Sequence, residues 1–379
     1  RGSEINLVGG SNSVRGSGYL RLEPSNSGQI MTLGSDENTN GLDIQLSDIE
    51  ALAPGFERII IGSIDGNSII EIAQDITFTS PVLLQSPGDL GKIIAAGNIT
   101  ATGDASISLK ADSDIRVRDI NTSGLNIDIN SARGEVITGS LQSGGNINVL
   151  SQGNIQTGEI RSNASLDSLA FRTIDLSSQR GQITVDGNIF GDGTFLSLIG
   201  QDDIQTGNIT AGRGMSLNSD RGTITTGNLQ VVSPDSLNSS INITAFGNIT
   251  TGDISTATDP GTGANITITS SQGGVRSGNL NASGSTAGGS IVVQAPDQIF
   301  LGAINTNSSQ GNAGSVRLTS ENDIEVSLIN TEAELRGGSL VIDTSRFFRV
   351  TDTFEAINGV EASISTIGST GSGTIRLPP

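Results

Sequence analysis

The sequence predicts an all-β fold: a right-handed parallel β-helix, or β-solenoid, with a short helix-containing insertion near the N-terminus. Three observations lead to this prediction. A short apolar phrase recurs along most of the chain. The composition suits a narrow core shared by stacked coils, since 51 of 379 residues are Gly, 34% are hydrophobic and 3% are aromatic. Finally, the length of the repeat varies at only one place in each copy.

The repeated phrase is Gly-Asn-Ile-x-Thr-Gly-x-Ile, found at residues 153–160 and 247–254. Its first apolar residue, which we call the anchor, returns every 19 to 28 residues, as in a solenoid coil. Each anchor is predicted to lie on the first of three strands in its coil. The anchors are Ile115, Val136, Ile155, Ile183, Ile204, Ile224, Ile249, Val275, Ile299 and Ile324.

Two further strands complete each predicted coil. The second strand carries an apolar residue five or six positions after the anchor, such as Ile120, Leu141 or Ile160. The third strand alternates apolar and polar residues, a period of two that points successive side chains inward and outward. Its inward pairs include Ile107/Leu109, Ile127/Ile129, Ile147/Val149, Ile174/Leu176, Met215/Leu217, Ile266/Ile268, Val316/Leu318 and Leu340/Ile342. The intervening residues should face water, namely Ser108, Asp128, Asn148, Asp175, Ser216, Thr267 and Arg317.

Length variation concentrates between the second and third strands, at what we call the variable corner. A surface loop tolerates insertions, whereas one extra residue inside a stacked strand would turn its inward side chains outward. If the chain contacts a partner, we expect the contact along this corner, because loops on a rigid scaffold commonly carry recognition. The candidate loops are residues 161–173, 230–240, 255–265, 281–290 and 305–315.

Parallel crossovers are nearly always right-handed, so we expect the coil to be right-handed.

The Thr-Gly pairs that end the anchor strands predict a corner at which equivalent residues of successive coils stack. The inner hydroxyls are expected to hydrogen-bond to one another along the axis, and each following Gly is expected to adopt a positive φ. These hydroxyl residues are Thr138, Thr157, Thr206, Thr226, Thr251 and Ser277.

The repeat divides the chain into three predicted regions. Residues 1–88 form irregular coils with a short helical insertion, residues 89–345 form regular coils, and residues 346–379 form a terminal coil. In the first region, Ser47 and Glu50 have the spacing of a capping box, which predicts a helix that ends near Pro54 and covers one flank.

Charge and composition restrict the partners. The net charge is −19, so the chain should be repelled by nucleic acid and by anionic lipid headgroups. No apolar run reaches 18 residues, so we expect no membrane insertion. The chain has neither Cys nor His, which removes thiolate chemistry and imidazole bases.

No catalytic, cofactor-binding or metal-binding residue is predicted, and the chain is not expected to be an enzyme. Asp114, Asp203 and Asp323 precede their anchors several coils apart, which favours backbone capping over calcium binding. No two acidic residues are neighbours among the outward residues after the anchors, and the outward Thr residues there do not form the unbroken array typical of ice-binding proteins. Those outward residues are Arg116, Ile137, Gln156, Thr184, Gln205, Thr225, Thr250, Arg276, Phe300 and Glu325.

Residues 153–160, 247–254 and 265–270 resemble the β-helical repeats of two-partner-secretion exoproteins of the filamentous-haemagglutinin type. Residues 20–34 and 46–62 are similar to a block in large cyanobacterial members of that family. The resemblance implies a secreted protein displayed as a long rod on a Gram-negative-type bacterium. It also implies an outer-membrane transporter as the partner that exports the parent chain. No catalytic residue carries over from the matched motifs.

These observations favour a structural or adhesive stalk that contacts a cell-surface or extracellular-matrix component, with polysaccharide among the candidates. One alternative is a subunit of a head-to-tail extracellular filament. Residues 373–377 have the pattern of a third strand and would leave an open coil end. A polysaccharide-active β-helix enzyme is a further, less favoured alternative.

Overall fold

The computed structural model describes residues 4–35, 41–163, 172–232 and 239–378. It is an all-β, right-handed parallel β-solenoid of about 12 turns, with one short helix among these residues, so the predicted fold class is confirmed. The chain divides into unit 1 (Arg1–Ser165 and Arg172–Gly187) and unit 2 (Leu166–Phe171 and Asn188–Pro379). Each unit contains three parallel sheets, which we name the alternating, anchor and second sheets after the predicted strands that form them.

In unit 1 the three sheets take their strands from successive coils. The alternating sheet contains Tyr19–Leu22, Arg58–Ile61, Val82–Ser86, Ile107–Ala111, Ile127–Ser131, Ile147–Ser151 and Arg172–Ser178. The anchor sheet contains Leu42–Ile44, Met31–Leu33, Ile69–Ile72, Lys92–Ala95, Ile115–Arg116, Val136–Ile137, Ile155–Thr157 and Ile183–Val185. The second sheet contains Ile76–Phe78, Ile99–Ala101, Ile120–Thr122, Leu141–Ser143 and Ile160–Ser162.

Unit 2 repeats the same arrangement. Its alternating sheet contains Thr194–Gly200, Gly214–Ser219, Ile241–Ala245, Ile266–Ser270, Ile291–Ala295, Val316–Ser320, Leu340–Thr344 and Ile375–Arg376. Its anchor sheet contains Ile204–Gln205, Ile224–Thr225, Ile249–Thr250, Val275–Ser277, Ile299–Leu301, Ile324–Val326 and Phe348–Val350. Its second sheet contains Ile189–Gly191, Ile209–Ala211, Leu229–Val231, Ile254–Ser255, Leu280–Asn281, Ile304–Asn305, Ile329–Asn330 and Ile364–Ser365.

The core follows the predicted pattern residue by residue. Every predicted anchor is at most 1% exposed, and the anchors of adjacent coils are register partners, as Val136 is with Ile115 and Ile155. The residues predicted to face water are half-buried or exposed. Because each inward side chain packs on its equivalents in the neighbouring coils, short strands suffice to bury a continuous apolar core.

The helix, Leu46–Ala51, begins earlier than predicted. Its N-cap is Gln45, whose backbone N–H donates to Asp48 Oδ2 at 2.9 Å, so the predicted capping by Ser47 and Glu50 is wrong. Asp48 is 2% exposed, and its Oδ1 accepts a second backbone N–H, from Leu7, at 2.7 Å. A buried carboxylate that satisfies two donors decides the cap, and one of those donors is 41 residues away in sequence.

The helix also ends earlier than predicted, at Ala51 and not near Pro54. Leu52 forms a parallel bridge with Val14, and the Ala53 N–H donates to the Val14 carbonyl at 2.9 Å. The chain therefore leaves the helix to pair with an N-terminal segment, a tertiary contact that local capping rules do not contain.

A hairpin interrupts the last described coil at a corner where no insertion was predicted. Strands Phe354–Glu355 and Glu361–Ala362 pair antiparallel between an anchor strand and the next second-sheet strand. The prediction that all insertions gather at the variable corner is therefore wrong here. Glu332, which is 7% exposed, fixes the hairpin by accepting hydrogen bonds from the Ile357 N–H at 3.1 Å and from the Ser365 hydroxyl at 2.6 Å.

Candidate functional site

Asn and Asp side chains connect successive rungs at the solenoid corners. Asn208 Oδ1 accepts the Asn228 backbone N–H at 2.8 Å, and Asn228 Oδ1 accepts the Asp253 N–H at 2.9 Å. The predicted capping role is confirmed, because Asp114, Asp203 and Asp323 accept backbone N–H groups of the following rung at 3.3, 2.7 and 3.3 Å. These carboxylates and amides act as fixed structural acceptors. Across the described ranges, no three His, Cys, Asp or Glu side chains are grouped so that they could hold a metal ion.

The predicted positive φ of the Gly after each corner Thr is wrong. Gly139, Gly227, Gly252 and Gly278 do not adopt it. They instead lie against the Asn or Asp of the preceding rung, so that a Cβ on Gly252 would overlap Asn228 Oδ1. Glycine is required because this oxygen occupies the space that a side chain would fill.

The predicted axial stacking of the corner hydroxyls is mostly wrong. Thr138, Thr157, Thr206 and Thr226 donate instead to the carbonyl of the next Gly at 2.9–3.1 Å. Among the predicted residues that are described, axial contact occurs where the Thr251 and Ser277 hydroxyls lie 2.8 Å apart.

A different hydroxyl column, at the ends of the alternating strands, joins the rungs. Ser151 donates to the Gly134 carbonyl at 2.8 Å, and Ser219 donates to the Asp202 carbonyl at 2.7 Å. This column was not predicted from the sequence. The signal that could have revealed it is the Ser that recurs at the last inward position of these strands, at Ser131, Ser151, Ser178, Ser219, Ser270 and Ser320.

The variable corner of unit 2 is an ordered stack of arches. Bridges connect Thr258, Gly284, Ser308, Ala333 and Gly368 on five successive turns. The corner therefore extends past the predicted loops 255–265, 281–290 and 305–315. Loops 161–173 and 230–240 lie partly outside the described residues.

A threonine closes the neck of most arches. Thr306 is fully buried, and its hydroxyl donates to the Gly314 carbonyl at 2.8 Å, while the Gly314 N–H returns to the Thr306 carbonyl at 2.9 Å. Thr256 and Thr331 repeat the hydroxyl contact. These bonds close each arch within its own turn, and the parallel bridges between turns stack the arches on one another.

An ion-pair clamp joins rungs on one edge of unit 1. Arg133 Nε donates to Asp112 Oδ1 at 2.8 Å, and its Nη2 also contacts Asp89. The Leu90 N–H donates to Asp112 Oδ2 at 2.9 Å. The hydrogen bond from Arg133 chiefly, aided by the one from Leu90, holds the pKa of Asp112 below its usual value in spite of burial. The clamp fixes a turn with positive φ at Leu90, which indicates a structural role.

The anchor sheet of unit 2 carries a shallow recess beside Arg276 and Phe300. The Arg276 guanidinium lies 4.6 Å from the centre of the Phe300 ring, with Thr250 and Gln298 alongside. Because the cation covers the aromatic face, the pair stabilises the surface of the sheet and leaves little of the ring for a ligand.

The alternating sheet of unit 1 carries a depression lined by exposed and half-buried side chains, which we call the unit 1 groove. It lies on four consecutive strands from Val82–Ser86 to Ile147–Ser151, paired in register. Outward residues form two columns along it, with Arg58 at the edge. One column is Leu83, Ser108, Asp128 and Asn148, and the other includes Lys110, Asn130 and Leu150.

The groove contains two cations. Arg58 and Lys110 are exposed, and neither forms an ion pair with a described residue, whereas Lys92 pairs with Asp114 at 3.8 Å. Asp128 accepts a hydrogen bond from Asn148 Nδ2 at 2.7 Å. Hydrogen-bond donors, hydrogen-bond acceptors and half-buried leucines therefore line one depression. Ser108, Asp128 and Asn148 were predicted to face water, but their grouping into one site was not predicted, because they lie far from the anchors at which sites were expected.

No protein-family model, curated protein or solved structure matches this chain. The resemblance to filamentous-haemagglutinin repeats therefore stays a prediction. Within the described residues, no helix has the length and apolar character that crossing a membrane requires.

Proposed function

We propose that this chain is a structural and adhesive stalk segment of a secreted or cell-surface exoprotein resembling the filamentous-haemagglutinin type. The observation that carries the proposal is the solenoid itself, in which the same three short strands repeat over about 12 turns. Each unit is stabilised by its interior and by corner hydrogen bonds, so its outer surfaces are free to vary. A repeated scaffold with variable outer surfaces suits a protein that is displayed at a cell surface and contacts partners there.

The hydrogen bonding of buried polar side chains supports a stable extracellular scaffold. Every buried side-chain nitrogen or oxygen atom in the described part of the chain has a hydrogen-bond partner. This stability does not depend on disulfides, since the chain has no Cys. Leaving a buried polar group unpaired would cost about 1–3 kcal/mol, so this pairing helps to keep the fold stable.

The contacts proposed for this stalk lie on its outer surface. The arches of unit 2 present Gly, Ser, Thr and Asn groups at fixed spacing, which suits a cell-surface or extracellular-matrix component. In this proposal a Gram-negative-type bacterium displays the parent chain after export through an outer-membrane transporter, as the resemblance implies.

Electron microscopy of the purified full chain, combined with a bead-adhesion assay, tests this function. We expect separate elongated particles, and we expect beads coated with the chain to adhere to matrix- or cell-coated plates. End-to-end filaments would instead support the filament-subunit alternative. New reducing ends released from a polysaccharide panel would support the enzyme alternative.

Shortening the arches locates the contact surface. In separate variants, each of the loops 255–265, 281–290 and 305–315 is shortened to the length of the connection between Leu141 and Ile147, which lie six positions apart. Folding and adhesion of each variant are then measured. Loss of adhesion by a folded variant supports contact at the arches. If all shortened variants fold and adhere normally while polar substitutions on a strand face abolish adhesion, the arches are not the contact surface.

A further inference from the structure

We propose that the unit 1 groove binds a linear, uncharged polysaccharide. The inference rests on the adhesive part of the proposed function and adds a ligand class and a location to it. The groove lies on a sheet face of unit 1, away from the variable corner where contact was predicted from the sequence.

The geometry of the groove selects an extended, repetitive ligand. Its residues lie on four parallel strands whose register is continuous, so equivalent positions recur at the rung spacing of about 4.8 Å. A ligand chain that lies along the columns meets a new set of side chains at each rung. Its successive units would therefore each face one rung of the groove.

The chemistry of the groove matches sugar hydroxyls, which both donate and accept hydrogen bonds. Lys110 and Arg58 are donors without an ion-pair partner among the described residues, and the Asn130 amide supplies both a donor and an acceptor. Leu83 and Leu150 are half-buried outward residues on a polar face, and they give the apolar C–H faces of sugar rings a surface to cover.

Charge favours an uncharged glycan over an acidic one. The chain has a net charge of −19, and within the groove Asp128 offsets one of the two cations. A polyanion would therefore be repelled over a long range while gaining little locally.

The sheet topology argues against a peptide ligand. The groove strands are paired on both sides, so no backbone edge is available for strand addition. A ligand must bind through the side chains alone, which favours a hydroxyl-rich chain over an extended peptide.

Affinity electrophoresis and calorimetry of the full chain test the proposal. The neutral probes are amylose, a mixed-linkage β-glucan and a galactomannan, and the acidic probes are polygalacturonate and heparin. We expect at least one neutral probe to bind and to remain bound at high salt, because hydrogen bonds to uncharged hydroxyls depend little on screening.

Matched variants assign the binding to the groove. Asn130→Ala and Lys110→Ala should each weaken binding about tenfold, the effect of losing roughly one good hydrogen bond. Asn242→Ala changes an exposed residue on the alternating sheet of unit 2 and should leave binding unchanged. Equal melting temperatures would show that the variants are folded.

Three results would overturn the proposal: no neutral probe binds, only acidic probes bind and salt releases them, or the groove and control variants bind alike. The stalk function is judged separately by particle shape and bead adhesion. Adhesion that persists without neutral-glycan binding would reject the groove and leave the stalk, whereas compact, non-adhesive particles would reject the stalk.

Discussion

At the corners of the solenoid, a glycine on one rung and an amide on the preceding rung depend on each other. Asn228 Oδ1 accepts the Asp253 N–H and occupies the space beside Gly252. The recurring Gly-Asn spacing therefore reflects a close approach between rungs. The recurring glycine is visible in the sequence, but its cause is not, because the side chain beside Gly252 belongs to a residue 24 positions earlier.

Gly252→Ala should destabilise unit 2 by about 1–3 kcal/mol, since the added methyl group collides with Asn228 and with nearby backbone. Gly371→Ala is the matched control, because its Cβ would meet no atom within 4 Å and its φ is not positive. Denaturant midpoints measure both. Similar midpoints for the two variants would contradict the close-approach account.

Ile155→Asp should be far more damaging than Gln156→Asp. Ile155 is fully buried, so the first variant places an unpaired charge in the core and should cost more than about 4 kcal/mol. Gln156 is exposed and donates to Asp186 at 2.7 Å, so Gln156→Thr is included to avoid placing two carboxylates together. Equal melting temperatures for Ile155→Asp and the two Gln156 variants would show that the inward and outward assignment is wrong.

Asp112→Asn should lower the melting temperature at pH 7. The pKa of Asp112 is lower in the folded than in the unfolded chain, so its ionised form stabilises the fold above the unfolded pKa near 3.9. That stabilisation is lost as the pH falls through the folded pKa. The difference between variant and parent should therefore close under acid conditions. Asp104→Asn, at an exposed residue, is the control, and a difference for Asp112→Asn that is unchanged down to low pH would exclude the clamp as its cause.

Among the elements, the strands were the most predictable and the connections the least. Strands such as Ile147–Ser151 follow from alternation alone, because a period of two fixes which side chains are buried. The helix start is capped locally by Asp48, but the buried Asp48 carboxylate also accepts the Leu7 N–H, and the hairpin at 354–362 is held by buried Glu332. Long-range contacts of this kind are not encoded in local patterns.

The arches show how an element can be misread as a simple loop. Their Gly, Ser and Asn composition is typical of flexible connections, yet their backbones bridge from turn to turn. The groove was missed for a related reason. Its residues are spread over more than 90 positions of sequence, from Arg58 to Leu150, and only the register brings them together.

Thr306→Val should destabilise unit 2 by about 1–3 kcal/mol, because it keeps the side-chain shape but removes the hydroxyl that the buried neck provides to the Gly314 carbonyl. Thr319→Val, at a half-buried outward position, should change stability by no more than about 0.5 kcal/mol. Thermal unfolding of both variants measures the difference. If Thr306→Val left the stability of unit 2 unchanged, the backbone hydrogen bond from the Gly314 N–H to the Thr306 carbonyl would suffice to close the arch.

At the scale of the whole molecule, successive turns within each unit are parallel and in register. Within each unit a turn contacts its neighbours in the stack, so stability is a sum of repeated rung interfaces. The stalk, the arches and the unit 1 groove all depend on this register, because each is assembled from residues that lie about one turn apart in sequence.

Paired cysteines measure the register directly, since the natural chain has no Cys. Thr225 and Thr250 are register partners in unit 2, and Thr250 is in turn the partner of Arg276. Adjacent parallel strands place Cα atoms about 4.8 Å apart, within disulfide range, whereas two rungs are about 9.6 Å apart and outside it. Under mild oxidation, the Thr225→Cys/Thr250→Cys variant should form an intramolecular disulfide, and the Thr225→Cys/Arg276→Cys variant should stay reduced. The reverse outcome, or equal cross-linking of both, would contradict the parallel, in-register solenoid.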